Sequence, residues 1–314
     1  MRHRGTLAAV DATVRVSFAS RDAARAAEFA RHNRGAMSWG SYAAAIADPS
    51  VDAVLIATPP VNHLDLTLRA LGAGKHVIVE KPAFLRSADV AAVEDAATRV
   101  GRRVLVAENY CYKPLTGVLR TIIRSGELGE IRFIAVHALK NSMRPGWRAE
   151  PEVAGGGALF EGGVHWLHLM AEFGLTIESV HGFRPGSGEG LERSTLVVVR
   201  YAEGPVGTLH HSWETPARFR GLQLSRIAGT RGGVTFESNG LVVFVRGPRR
   251  SRWVFPGFRD LEGYRAMFRD FLAALRGRSE PRMTLARARR DLALIEAATP
   301  TDRWSPAIAV KATT

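Results

Sequence analysis

Residues 51–58, VDAVLIAT, form an unbroken apolar run of strand length that stops at Pro59-Pro60, which cannot continue a strand. A strand without polar alternation is buried on both faces, and that demands covering layers above and below it. Residues 14–19, 76–80 and 103–108 read as further strands. Helical segments lie between them. Asp22 stands as the cap of a helix running to about residue 32, and residues 39–47 read as a short helix. Residues 63–71 form a helix stopped by Gly72 and Gly74, and Ser87 stands as the cap of a helix ending near Gly101. Buried strands alternating with helices predict an α/β fold with a doubly wound parallel sheet. Ligands of such sheets bind at the carboxyl ends of the strands. Ser20-Arg21, Thr58-Pro59-Pro60, Glu80-Lys81-Pro82 and Glu108-Asn109 occupy those ends.

Beyond Lys113 the pattern changes. A helix to Ser125 precedes alternating segments at 131–140, 177–184, 195–201, 206–213, 222–228 and 241–246, separated by Gly and Pro turns. Helices are predicted at 158–173 and 261–275, and residues 307–314 read as a tail. This is a second, α+β domain with a large, mostly antiparallel sheet. The predicted division is residues 1–112 and 113–314.

Composition narrows the function classes. No apolar run approaches a membrane span, and Asp11 interrupts the short apolar stretch near the N-terminus, so neither a membrane segment nor a signal peptide is expected. The one cysteine, Cys111, excludes an intrachain disulfide and a cysteine zinc cage. The reading is a cytoplasmic protein. The formal charge of +13 raises nucleic acid as a partner. The basic residues are nevertheless dispersed, and the densest spots, 246–252 and 287–290, are short and lack interleaved aromatics. No nucleic acid is therefore expected; a polyanionic small molecule would also profit from a positive field.

Four segments in order carry a family resemblance: 51–63 (VDAVLIATPPVNH), 74–82 (GKHVIVEKP), 155–165 (GGGALFEGGVH) and 227–232 (IAGTRG). Together they resemble the glucose–fructose oxidoreductase/inositol dehydrogenase (Gfo/Idh/MocA) family, over residues 7 to 298. The resemblance implies a Rossmann domain, a C-terminal domain with an open sheet, and a homodimer or homotetramer built across that sheet. It implies that Thr58, Pro59, Asn62 and His63 lie near the nicotinamide ribose or diphosphate, with Glu80, Lys81 and Glu108 at neighbouring strand ends.

The residues themselves suit redox chemistry on an alcohol or carbonyl. Lys81 closes a strand before Pro82, which holds its backbone extended; there it can polarise a hydroxyl and lower a neighbouring imidazole's pKa, or it is a plain strand-end lysine. Glu161 and His165 are one α-helical turn apart and would share a face, with His165 as the proton acceptor or donor and Glu161 orienting it; the alternative is a surface pair. The family usually has aspartate at the position of Glu161. His168 and Tyr110 are candidate substrate contacts, and Tyr112 lines the cleft or packs the domain joint. Glu161, His165 and His168 could in principle form a metal face, but no zinc-hydrolase signature accompanies them and no metal is expected. Of His210-His211 on one strand, at most one faces the site, and a structural role is the simpler reading.

Ser20-Arg21 follows the strand after which a Rossmann fold reads the adenine ribose. An arginine there accommodates a 2′-phosphate, which favours NADP, with NAD possible. No Gly-x-Gly-x-x-Gly opens the chain, and residues 4–10 look like the end of the helix that would follow one. The first strand and its phosphate loop are therefore expected either to precede Met1, through a misassigned start or fragment boundary, or to have been lost. The predicted function is an NADP-dependent oxidoreductase acting on a sugar, cyclitol or related polyol or ketone. A non-catalytic cofactor-binding regulator and a nicotinamide-dependent glycosidase on the same fold are the alternatives.

Overall fold

The computed structural model describes residues 2–142, 146–186, 190–216 and 222–299; the predicted tail at 307–314 lies outside them. A helix α1 (Arg2–Val10) opens the chain, followed by β1 (Phe18–Ala19), α2 (Ala23–His32), β2 (Ser38–Trp39) and α3 (Tyr42–Ala47). Next come β3 (Ala53–Ile56), α4 (His63–Gly72), β4 (His76–Glu80), α5 (Asp89–Val100) and β5 (Val104–Ala107). All strand pairs in this half are parallel, as the doubly buried runs require. They form two groups, β1-β2 and β3-β4-β5. The register sets Glu80 opposite Ala107, so Lys81 and Glu108 leave the sheet side by side.

Three local readings are corrected. Only Phe18 and Ala19 of the predicted 14–19 strand pair, and their partner is Ser38–Trp39, although Trp39 reads from sequence as the start of a helix. The helix there begins at Tyr42, capped by Ser41, whose side chain accepts from the Ala44 N–H. Ser87 does not cap α5: its N–H and hydroxyl both go to the Glu296 carboxylate, at 2.6 Å each. Asp22 caps α2 as predicted, accepting from the Arg25 N–H.

The second half begins with α6 (Pro114–Arg124) and β6 (Ile131–Leu139). A short helix α7 (Pro151–Ala154), a π-helical turn at Leu159–Gly163 and helix α8 (Val164–Ala171) follow. Then come β7 (Ile177–Phe183), β8 (Ser194–Tyr201), β9 (Val206–Ser212), β10 (Leu224–Gly229), β11 (Gly233–Glu237), β12 (Val243–Arg246) and β13 (Ser251–Val254). Helices α9 (Tyr264–Leu275) and α10 (Leu285–Ala298) close the described chain. The sheet has eight strands in the order β13-β12-β11-β10-β6-β9-β8-β7. Every pair is antiparallel except β6 with β9. One face packs on α8 through Ile134, Val136, Val199, Leu209, Leu167 and Met170, all buried. The other face carries exposed Phe133, Val206 and Leu224.

Strands β11 and β13 and helix α10 escape the sequence reading. The first two are short and follow turns closely. Helix α10 has so many arginines that residues 287–290 read as a charge cluster. Its N-cap is Thr284, which accepts from the Arg287 N–H. It returns to the first half, where Glu296 holds Ser87 and Arg289 meets Glu94.

Candidate active site

Lys81 and Glu108 stand at the carboxyl edge of the parallel sheet because β4 and β5 end in register. The loops behind them are fastened by His63. Its Nδ1 lies 3.0 Å from the Pro82 carbonyl and 3.1 Å from that of Ala83, and its Nε2 lies 2.9 Å from the Thr58 carbonyl. Burial pushes this imidazole's pKa down, against the pull of those carbonyls. His63 is therefore enclosed by backbone and ties the β3 loop to the β4 loop, instead of facing a cofactor as predicted. The Lys81–Pro82 peptide between these contacts is cis. Thr58 and Pro59 remain partly exposed at the end of β3, and Asn62 is exposed.

The other wall is the glycine-rich segment. Gly155 ends α7 with φ +75°, in the left-handed region where glycine carries no penalty. At Gly157 a Cβ would overlap the Glu192 carboxylate. Glu192 needs that space because its backbone carbonyl accepts from the Ala158 N–H and its side chain from the Leu159 N–H, so it caps the π turn. Burial raises the Glu192 carboxyl to about 7, although the Leu159 N–H opposes the shift.

The π turn changes the predicted pairing. Residues four apart share a face at α-helical pitch, and Glu161 was expected to orient His165 on that basis. Glu161 lies within the wider turn and His165 at the start of α8, so the two side chains diverge. Glu161 Oε1 accepts from Arg148 Nε at 3.0 Å and lies 3.9 Å from Lys81 Nζ. Lys81 Nζ also donates to the Glu161 backbone carbonyl at 2.6 Å. Burial would raise the Glu161 carboxyl, but Lys81 and Arg148 hold it below the ordinary range.

The acid against His165 is Glu108, which the sequence reading had placed with the cofactor. His165 Nδ1 lies 2.7 and 2.9 Å from the two Glu108 oxygens, and Glu108 Oε1 also accepts from the Tyr110 N–H at 2.9 Å. Burial alone would raise Glu108; the electrostatic pull and hydrogen bond of His165, with the charge of His168 and the Tyr110 N–H, instead hold it at about 2. With Glu108 ionised, the Nδ1 of His165 carries the hydrogen and Nε2 keeps its lone pair. Burial lowers the His165 pKa, Glu108 opposes that, and Lys81 reinforces it. Tyr110 is stacked on the imidazole, with centroids 4.6 Å apart and planes 14° apart. Lys113 Nζ lies 4.3 Å from the Tyr110 ring. Tyr110 is buried and supports His165, which corrects its reading as a substrate contact.

His168 is also corrected. It is 0% exposed and faces Asp291 of α10, Nδ1 to Oδ2 at 2.7 Å. Burial disfavours its charge, but the Asp291 carboxylate, with Cys111 and Glu108, holds its pKa at about 10. Arg290 bonds Asp291 and Glu172, and Arg120 and Arg287 also meet Glu172. Two of the arginines that suggested a basic patch thus belong to an internal network. Glu161, His165 and His168 point to three different partners, so they do not form the metal face the sequence allowed. Arg148, Asp291 and Glu192 have no local sequence signal; their partners are 13 to 123 positions away in sequence or lie beyond a turn.

A doubly wound nucleotide-type domain joined to an open-faced sheet, with lysine and histidine at the joint, is the two-domain architecture of nicotinamide oxidoreductases. Residues 2–108 match the model described as oxidoreductase family, NAD-binding Rossmann fold, and residues 118–235 match the GFO/IDH/MocA C-terminal domain. The chain belongs to the Gfo/Idh/MocA oxidoreductase family. It is 30% identical over 230 residues to a 1,5-anhydro-D-fructose reductase from Ensifer adhaerens, covering 70% of this chain and 67% of that one. It is 32% identical over 206 residues to a dTDP-3,4-didehydro-2,6-dideoxy-alpha-D-glucose 3-reductase from Saccharopolyspora spinosa, covering 62% and 61%. An uncharacterized oxidoreductase of Rhizobium meliloti is 31% identical, and the matched segment spans 66% of its length. Among solved structures, a levoglucosan dehydrogenase in complex with NADH and levoglucosan superposes with TM-score 0.82 at 23% identity, covering 94% of this chain and 92% of that one.

The buried His168–Asp291 pair generates a stability prediction. Removing the anion leaves a buried cation under-compensated, at a cost of about 3–5 kcal/mol. His168 titrates above its ordinary value in the folded state, so its contribution is complete below about pH 6.5 and fades as pH rises towards 10. Urea unfolding of Asp291→Asn against the unsubstituted protein should show the largest gap at pH 6 and a smaller one at pH 9.5. A gap independent of pH would mean that His168 is neutral.

Proposed function

We propose that the protein is an NADP-dependent oxidoreductase that moves hydride between nicotinamide and a sugar, cyclitol or related polyol or ketone. One observation carries the reading: Lys81 and His165 meet at the carboxyl edge of the sheet, and Glu108 holds the imidazole in the tautomer that leaves Nε2 free. The nicotinamide supplies hydride acceptance or donation when bound. In the oxidative direction, Lys81 Nζ binds the substrate oxygen and stabilises its developing negative charge. His165 Nε2 takes the hydroxyl proton, and Glu108 stabilises the resulting imidazolium. In the reductive direction the same nitrogen returns the proton. Glu161 positions Lys81 through its carbonyl and carboxylate. Names of relatives that act on anhydrosugars and deoxysugars support the sugar class.

The residues present fit the adenosine end of the cofactor. Ser20 and Arg21 follow β1 at the N-terminus of α2, and the exposed Arg21 makes no ion pair among the described residues. Ser20 and Arg21 are the residues we assign to that end, and Thr58, Pro59 and Asn62, with Glu80 at the next strand end, to the nicotinamide ribose or diphosphate. Arg21→Ala should weaken NADP by about 1.5–3 kcal/mol, the scale of a hydrogen bond to a charged group, and leave NAD nearly unchanged. Titration of both cofactors checks this, and equal weakening would remove Arg21 from the 2′-phosphate.

Lys81→Met and His165→Ala should each lower kcat at least about a hundredfold. Glu108→Gln should lower kcat and move the acid limb of the kcat profile to lower pH, because it removes the charge that raises the His165 pKa. A pH-rate profile checks the sign; an unmoved limb would detach Glu108 from His165.

The outer face of the eight-stranded sheet supports a homodimer or homotetramer, since Phe133 is 67% and Leu224 54% exposed there. Phe133→Asp should yield a smaller species in light scattering, and an unchanged mass would exclude this face.

A further inference from the structure

Strand β9 carries two consecutive histidines that point to opposite faces. His210 lies outside, 4.9 Å from the ring of His137. His211 lies inside, 2% exposed, paired in the sheet with Ala138 and Thr195. It approaches the π turn that leads to His165. A Cβ at Gly162 would lie 3.0 Å from Trp213 Nε1 and 3.2 Å from His211 Nε2, so glycine lets both rings close on that turn. Burial first, and then the electrostatic influence of Lys140, His165 and Lys81, lower the His211 pKa to about 3. The ring is therefore neutral, with one N–H and one lone pair.

Buried polar atoms are nearly always satisfied in folded proteins. His211 Nδ1 and Trp213 Nε1 are both buried without a hydrogen-bond partner. The rings are 6.3 Å apart and tilted by 58°. The indole N–H can only donate, whereas a neutral imidazole nitrogen can donate or accept. A ketone, carboxylate or phosphate oxygen can only accept. A hydroxyl can accept from the indole and donate to the imidazole.

We propose that His211 and Trp213 form a subsite for a hydroxyl of the substrate other than the reacting one, and so select polyhydroxylated over deoxygenated substrates. This rests on the sugar-oxidoreductase reading above. Both nitrogens are closed to solvent, so the subsite requires Trp213, which is partly exposed and followed by exposed residues 214–216, to turn as the sugar enters.

The test uses the full chain with NADP or NAD and, as probes, levoglucosan, myo-inositol, D-glucose and monodeoxy-D-glucoses. Trp213→Phe assigns the Trp213 indole signal in a nitrogen–proton NMR spectrum. That signal should move saturably with any probe that is turned over. His211→Phe should raise KM about tenfold, the loss of one hydrogen bond of about 1.4 kcal/mol, with kcat within about threefold. His211→Gln, which keeps a donor and an acceptor, should recover most of the loss. At least one deoxy sugar should be discriminated against by the unsubstituted protein and not by the double variant His211→Phe/Trp213→Phe. Turnover with an unmoved indole signal and unchanged KM in both variants overturns the subsite while leaving the sugar reading intact. If His211→Gln is as impaired as His211→Phe, the role is packing and the proposal fails. If no probe binds or turns over in the unsubstituted protein, the sugar reading fails and the subsite with it.

Discussion

The hydrogen bond between Glu108 and His165 joins the two halves of the molecule at the point where the chemistry is proposed. Glu108 comes from the end of a parallel strand, and His165 from the first turn of the helix beneath the large sheet. A hydrogen bond to an ionised group contributes about 1.5–3 kcal/mol, and more is at stake if one buried partner is lost. Much of the neighbourhood maintains this contact. The register of β4 and β5 sets Glu108 beside Lys81. Tyr110 supports the imidazole from one face, and its own N–H occupies a Glu108 oxygen. Charged His168 lowers the cost of keeping Glu108 ionised, and Asp291 keeps His168 charged.

The glycines of the segment 155–163 have separate physical reasons, most of them about close approach. Gly155 supplies a left-handed turn, Gly157 admits the Glu192 carboxylate, and Gly162 admits His211 and Trp213. Gly163 leaves room for Leu159. Together they allow a wide helical turn to lie tightly against the sheet, with Glu161 on one side and His165 on the other. A Cβ at any of these positions would force backbone or packed side chains to shift, which typically costs about 1–3 kcal/mol.

The arginine-rich α10 shows how charge composition can mislead. Its residues 287–290 read as a basic spot on the surface. Arg287 and Arg290 instead neutralise Glu172 and Asp291 under α8, and Arg289 meets Glu94 on α5. The helix ties the two halves together, holding Ser87 and Glu94 of the first half and His168 and Glu172 of the second. Nothing in its own sequence points to Glu172 and Glu94, which lie 118 and 195 positions from Arg290 and Arg289 along the chain.

Local patterning was enough to place β3, β4 and β5, most helices and most of the open antiparallel sheet, while Lys81 and His165 were singled out through the motifs shared with the family. Continuous apolar runs, caps and turns are short-range properties, and the strand ends of a doubly wound sheet define the cleft whatever the loops contain. The partners of those residues were not legible. Glu161 was paired with His165 because a spacing of four implies a shared helical face, and only the π turn separates them. His63 read as a site residue through the family resemblance and His168 through its spacing from His165, yet one is enclosed by three carbonyls and the other faces Asp291. Glu108 ended a strand and was read with the cofactor, although its oxygens face an imidazole 57 positions away. Which acid meets which base depends on packing between distant elements, and tertiary structure alone sets that, because hydrogen bonds are decided over about 3 Å while sequence spacing constrains only one element at a time.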